Sequence, residues 1–109
     1  MAELHDKVES KYRARLGRKG FAINNRPPFV DYRPDIFATN SGGSLFVEVE
    51  ISQTLESPHT TKQLRIMHKY LQMNRRDQGV LVVPRSCKRR AQFLLRMLFG
   101  QSRISVDSF

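Results

Sequence analysis

Between Val30 and Ser52 two runs, VDYRPDIFAT and SLFVEVEIS, alternate or run apolar with β-branched and aromatic residues, and Asn40-Ser41-Gly42-Gly43 separates them. This pattern constrains the fold most, because two strands joined by turn residues form a hairpin whose register decides which side chains share a face. Ahead of it, Leu4, Val8, Tyr12 and Leu16 recur every four residues and mark one stripe of an amphipathic helix, stopped by Gly17 and Gly20. GFAIN reads as a short apolar strand, and Pro27-Pro28 forces a turn or an extended crossing. Beyond the hairpin, Leu64, Met67 and Leu71, widened by Ile66 and Tyr70, predict a helix from Thr60 to about Asn74. QGVLVVP reads as a buried strand, SCKRRAQFLLRMLFG as a helix capped by Ser86 and stopped by Gly100, and RISVDSF as a final edge strand. The expected order is α-β-β-β-α-β-α-β, an α/β fold with a mixed central sheet flanked by helices. A length of 109 residues fits a single domain spanning 1–109.

Charge narrows the functional classes. The chain carries 19 Lys and Arg against 10 Asp and Glu, for a net +9. Residues 1–56 hold eight of each sign, whereas residues 57–109 hold eleven basic and two acidic residues, so the whole excess lies in the second half. Such a field attracts a polyanion: nucleic acid first, with an anionic membrane surface or an acidic protein behind it. The only cysteine, Cys87, cannot pair within the chain, and the N-terminus has no apolar signal segment, which points to a reducing, cytoplasmic setting without a membrane partner. A zinc site built from cysteines is excluded, and His5, His59 and His68 show no ligand spacing.

Asp35 begins one hairpin strand, and Glu48 and Glu50 follow thirteen and fifteen residues later on the other. Side chains two apart on a strand share a face, so Glu48 and Glu50 project together while Val47, Val49 and Ile51 point the opposite way. A turn at 40–43 brings Asp35 within reach of Glu48. Three clustered anions repel one another unless a cation neutralises them, and oxygen-only ligands suit a hard divalent ion, Mg2+ or Mn2+. Alternating Val and Glu is also ordinary patterning for a half-exposed strand, with the acids in water.

Pro34-Asp35, then Glu48-Val49-Glu50 after a hairpin turn, set between an N-terminal helix and a helix with a polar start, resembles the PD-(D/E)xK pattern of restriction-endonuclease-like nucleases. Within that superfamily the chain is most similar to the small archaeal-type Holliday-junction resolvases, in which a glutamate of the first helix stands about eleven residues before a Gly-Phe. Here Glu9 precedes Gly20-Phe21 by eleven. The resemblance implies an α-β-β-β-α-β core, with Asp35 and Glu48 as metal ligands and Glu9 as an auxiliary acid. Glu50 stands where the pattern usually has lysine, the residue held to orient or activate the attacking water; some restriction endonucleases carry Glu there and remain active. Lys62, at the start of the next helix, is a candidate for a migrated cation, and Gln63 resembles the polar helix residue that several subfamilies place near the site.

A metal-dependent endonuclease also needs a grip on DNA. Arg65 and Lys69 lie one helical turn apart, Arg75-Arg76 close that helix, Arg85 with Lys88-Arg89-Arg90 opens the next, and Arg33 adjoins the Pro-Asp pair. Contacts of this kind go to phosphate and are indifferent to sequence. Phe93, Leu94, Leu95, Met97, Leu98 and Phe99 give the last long helix more apolar surface than one face needs, as a homodimer interface would. Against the nuclease stands a reading from another class: an inactive or partner-dependent nucleic-acid-binding module of a recombination or mobile-element complex, which lost turnover with the lysine.

Overall fold

The hairpin closes at Asn40 and Gly43, the last residues paired across it, with Ser41 and Gly42 at the tip. The Asn40 side chain accepts a hydrogen bond from the Gly42 N–H at 2.8 Å, an Asx turn that fixes the reversal. Gly43 has φ +142°, and a Cβ there would sit 2.3 Å from the Arg76 carbonyl oxygen, so no other residue fits. The computed structural model describes residues 2–109 and gives α1 (Ala2–Arg18), β1 (Ala22–Ile23), β2 (Ile36–Asn40), β3 (Gly43–Val49), α2 (Pro58–Met73), β4 (Gln78–Val83), α3 (Lys88–Phe99) and β5 (Ile104–Ser108).

The five strands form one mixed sheet in chain order, antiparallel from β1 to β3 and parallel from β3 to β5. The parallel pairs need crossovers, which α2 and α3 supply. Both lie on one face, where Leu64, Met67, Leu71, Ala91 and Leu95 pack on Phe37, Phe46, Leu81 and Val83. The other face belongs to α1, whose Val8 and Leu16 meet Ile36, Ala38, Val47, Val49, Val80 and Val82. β4 is apolar on both sides because it is covered on both sides.

The α/β class, the order of elements and the terminal edge strand agree with the sequence. Boundaries differ where backbone chemistry intervenes. α2 begins at Pro58 rather than Thr60, because Ser57 caps it by accepting from the Thr60 N–H and proline suits the first turn. Residues 30–35 do not pair as strand, and β1 keeps only Ala22–Ile23, both exposed. Pro27, Pro28 and Pro34 cannot donate to a ladder, and Phe29 instead anchors this segment against Tyr32, Phe46 and Tyr70, with ring centroids 5.0 Å apart in each pair. Ser86 does not cap α3: Arg85–Cys87 form a 3-10 turn, and Cys87 takes the cap position without a side-chain capping hydrogen bond. Among the described residues no helix is long and apolar enough to cross a membrane.

Candidate metal centre

With Ile36 facing Val47, the hairpin register sets Asp35 against Glu48 one step further. The Asp35 N–H donates to Glu48 Oε1 at 3.3 Å, and the Val49 N–H donates to Asp35 Oδ2 at 2.8 Å, so each carboxylate is gripped by the opposite backbone. Glu48 is 1% exposed. Its Oε1 also accepts from the Tyr32 hydroxyl, held in place by the aromatic anchor on Phe29. Burial pushes the Glu48 carboxyl well above the usual range, and the charges of Asp35 and Glu50 push the same way against the Tyr32 hydrogen bond. Burial and the neighbouring Glu48 likewise drive the Tyr32 phenol upward, so it stays a donor.

Glu50 lies just beyond β3, its N–H bonded to the Val82 carbonyl at 2.9 Å, and is 7% exposed. Both its oxygens are taken by hydroxyls. Thr54 Oγ1 donates to Oε2 at 2.7 Å, and Thr60 Oγ1 lies 2.7 Å from Oε1, although its single proton also has the Thr54 carbonyl at 2.8 Å. The turn carrying Thr54 is fastened from α3, where Arg90 donates to the Glu56 carboxylate and to the Ser52 hydroxyl and carbonyl at 2.8 and 3.0 Å.

From the opposite face α1 brings two more groups. Arg13 Nε and Nη2 both donate to Glu9 Oε2, at 3.2 and 3.1 Å, and Nη2 also donates to the Asp35 carbonyl at 2.7 Å. One turn earlier, His5 Nε2 lies 3.1 Å from Asp35 Oδ2. Partial burial works against the imidazolium, but the charge and hydrogen bond of Asp35, helped by Asp6 and Glu9, outweigh it and raise the His5 pKa. One donor atom each from His5, Glu9 and Asp35 lie within 4.8 Å of one another.

A cavity of about 420 Å³ joins these groups, lined by His5, Asp35, Glu48, Glu50, Ile51, Thr54, Ser57, His59, Thr60 and Gln63. The fold therefore brings Glu9, Asp35, Glu48 and Glu50 to one end of the sheet and sets Gln63 on the cavity wall. It does not bring Lys62, which is exposed on α2 and does not line the cavity. The ligand atoms that cluster with Asp35 belong to His5 and Glu9 and not to Glu48, so that group is a histidine with two carboxylates and not oxygen alone. His5, set aside on ligand spacing in the sequence, carried one available signal: it precedes Glu9 by four on a helix. Tyr32, Thr54, Thr60 and Arg13 carried none.

The candidate DNA-contacting cations divide by position. Arg85, Lys88 and Arg89 are exposed where β4 passes into α3, at the carboxyl end of the parallel strands that also holds Glu50. Arg75 and Arg76 sit at the other end, in the turn before β4, where Arg76 donates to the Ser41 carbonyl at 3.0 Å. Arg65 and Lys69 are exposed along α2. Arg33 is exposed and donates to the Asn25 carbonyl at 3.1 Å, while Arg90 is committed to Glu56 and Ser52. On α3, Leu95 is core, Leu94, Leu98 and Phe99 pack against it, and Phe93 and Met97 stand 60% and 69% exposed. Comparison with family models, with curated proteins and with solved structures finds no match for this chain.

Proposed function

We propose that the chain is a metal-dependent DNA endonuclease with a restriction-endonuclease-like core, hydrolysing phosphodiester bonds in branched, Holliday-junction-like DNA. The observation that carries this reading is the meeting of four carboxylates from three elements at one end of a sheet: Asp35 and Glu48 opposed across the hairpin, Glu9 from α1 and Glu50 just past β3. Buried acids without cationic partners are costly unless something positive joins them. Among the described residues neither Glu48 nor Glu50 has an ion-pair partner, which suits a divalent ion, Mg2+ or Mn2+, held by Asp35 and Glu48 with Glu9 beside them. Such an ion supplies charge neutralisation at the phosphodiester and a water of lowered pKa. The order α1-β1-β2-β3-α2-β4, an antiparallel hairpin continued by a parallel crossover, supports the core that the sequence resemblance implies.

The chain's own groups then divide the work. Tyr32 and the Asp35 N–H hold Glu48 toward the cavity, Thr54 and Thr60 hold Glu50, and Gln63 offers an amide on the α2 side. Arg85, Lys88 and Arg89, at the same end, meet the phosphates flanking the cleaved bond. The exposed Phe93 and Met97 pair two chains into a homodimer, and the setting is cytoplasmic.

One observation favours the second reading, a DNA-binding accessory module of a recombination or mobile-element complex. Among the described residues no lysine lines the cavity, and threonine hydroxyls lie against both Glu50 oxygens. Incubation with supercoiled plasmid and with four-way junctions in Mg2+ and in Mn2+ separates the two. The nuclease cleaves, and Asp35→Ala and Glu48→Ala abolish cleavage while DNA binding persists. Intact binding without cleavage of either substrate in either metal leaves the accessory module.

A further inference from the structure

We infer that the cleft between α2, α3 and β5 is a second nucleic-acid site, one that takes a single strand of DNA and seats an unstacked nucleotide. This rests on the reading that the chain binds DNA, which both functions proposed above share, and does not depend on cleavage. The cleft has a volume of about 820 Å³ and lies toward the amino end of the parallel strands, opposite the end that holds Glu50. Its floor is core, made by Leu71, Leu95 and Ile104, each at most 6% exposed. Its walls are polar and carry no acid among the described residues: His68 and Gln72 from α2, Gln92 and Arg96 from α3, Gln101 and Arg103 from the loop into β5. Arg103 donates to the carbonyls of Asn74, at 2.8 Å, and Arg75, neutral acceptors that fix the guanidinium and leave its charge intact. Arg96 has no ion-pair partner among the described residues. Asp107, the acid of β5, is turned to the opposite face, where Tyr12 and Arg15 donate to it at 3.0 and 3.4 Å. Two guanidinium groups at a cleft without an anion attract phosphate.

The floor decides the form of the nucleic acid. A duplex turns its phosphates outward and keeps its base faces stacked, so an apolar floor has nothing of it to bury; an unstacked base offers an apolar face and a hydrogen-bonding edge. Leu71, Leu95 and Ile104 meet the face, and the amides of Gln72, Gln92 and Gln101, each both donor and acceptor, suit the edge of any base. His68 adds a flat wall, its ring stacked on Phe99 with centroids 4.1 Å apart and 13° between planes. Burial lowers the His68 pKa, so the ring is neutral at pH 7 and contributes surface instead of charge. The volume falls within the ~300–1,000 Å³ of sites that enclose a small organic group. Arg89, Gln92 and Arg96 follow one another at spacings of three and four on α3 and share one side of it. That polar ridge covers ~10 Å from Arg89 to Arg96, so a strand following it joins the cations at the carboxylate end of the sheet to the cleft.

The test uses the full chain in EDTA, so that binding is read without cleavage, with a labelled oligothymidylate of ~16 nucleotides and a duplex of the same length. Arg96→Gln and Gln72→Glu, on opposite walls, should each weaken the single strand ~10-fold and the duplex less than ~2-fold, and Arg96→Gln should flatten the single-strand salt slope by ~0.7, the value of one phosphate contact. Lys11→Gln, exposed on α1 across the sheet, removes the same charge and should change single-strand affinity less than ~2-fold. Photocrosslinks from 5-iododeoxyuridine in the single strand should fall on His68 or within residues 101–106 of the wild type. Equal weakening by Lys11→Gln, equal weakening of the duplex, an unchanged affinity in Gln72→Glu, or crosslinks confined to other segments would overturn the cleft as a single-strand site. A wild type that binds the duplex but not the single strand would overturn it and leave the DNA reading standing; one that binds neither would overturn that reading as well.

Discussion

Glu48 concentrates the energetics of the site into one residue. An unfolded glutamate releases its proton near pH ~4.3. In the folded chain, burial and the charges of Asp35 and Glu50 hold the proton to higher pH. Between those two values the native state binds a proton that the unfolded state has lost, so stability falls as pH rises through that window. Glu48→Gln keeps an acceptor for Tyr32 but has nothing to titrate. It should therefore be more stable than wild type at neutral pH, by ~1–3 kcal/mol in urea unfolding, the scale of a buried charge lacking its partner, with the gap shrinking toward pH ~4. Added Mn2+ should narrow the gap from the wild-type side, by ~2.7 kcal/mol at a hundredfold excess over its dissociation constant. A variant gap that ignores both pH and metal would mean that Glu48 is neutral or solvated in a way its burial does not allow. Glu50 makes a complementary case, because Thr54 and Thr60 hold it with oxygens that accept an ammonium as readily as they donate to a carboxylate. Glu50→Lys, which restores the commoner pattern, should retain cleavage of four-way junctions, whereas Glu50→Ala should lower it at least tenfold; equal activity of the two would deny position 50 any part in the reaction.

At the scale of elements, most of the structure was legible because periodicity is local. Leu64, Met67 and Leu71 announce α2, and the Asn40–Gly43 turn announces the hairpin and with it the pairing of Asp35 with Glu48. Prolines and loop packing hid the rest. Residues 30–35 read as strand from their β-branched and aromatic residues, yet Tyr32 packs with Phe29 into a cluster on Phe46 and Tyr70, and that cluster delivers Tyr32 to Glu48. No spacing in the sequence marks that contact, since it depends on where a loop lands on a sheet. The hairpin turn also does more than reverse the chain. Ser44 N–H donates to the Asp77 carboxylate at 2.9 Å, and the Gly43 backbone packs against the Arg76 carbonyl, so β3 is registered on the start of β4 from its first residue. Gly43→Ala combines a φ of +142° with a Cβ 2.3 Å from a backbone oxygen, neither of which a rotamer change relieves. The expected loss is ~2–4 kcal/mol by chemical denaturation, whereas Gly42→Ala, whose Cβ meets only the Asn40 side chain at 3.3 Å, should cost less than half as much.

For the molecule as a whole, α1 joins the site across longer stretches of chain than the contacts within and beside the hairpin. His5 reaches Asp35 over 30 residues, and Tyr12 anchors α1 by donating to Asp107 at 3.0 Å over 95, which is why four acids were visible in the sequence but not the histidine among them. The same packing redistributes a charge that the sequence assigns only to residues 57–109. In space five of these cations fall into two groups, with Arg65 and Lys69 apart from them along α2: Arg85, Lys88 and Arg89 lie beside the carboxylate end of the sheet, and Arg75 and Arg76 at the far end of β4, six residues of strand away, or ~20 Å. On the proposed nuclease reading, a duplex lying across the cavity would meet the first group at the strand to be cleaved and the second only if it ran along the sheet. Each phosphate contact contributes ~0.9 to the slope of log affinity against log salt, so reversing Arg85, Lys88 and Arg89 together should flatten the slope by ~2.7 for any sequence and also depress cleavage. Reversing Arg75 and Arg76 should flatten it by ~1.8 for a long duplex and leave a short one unaffected. Fluorescence anisotropy with duplexes of two lengths, repeated over a salt series, reads all of these quantities. A slope near zero in wild type would remove nucleic acid as the partner and make an acidic protein surface the better match for a +9 chain.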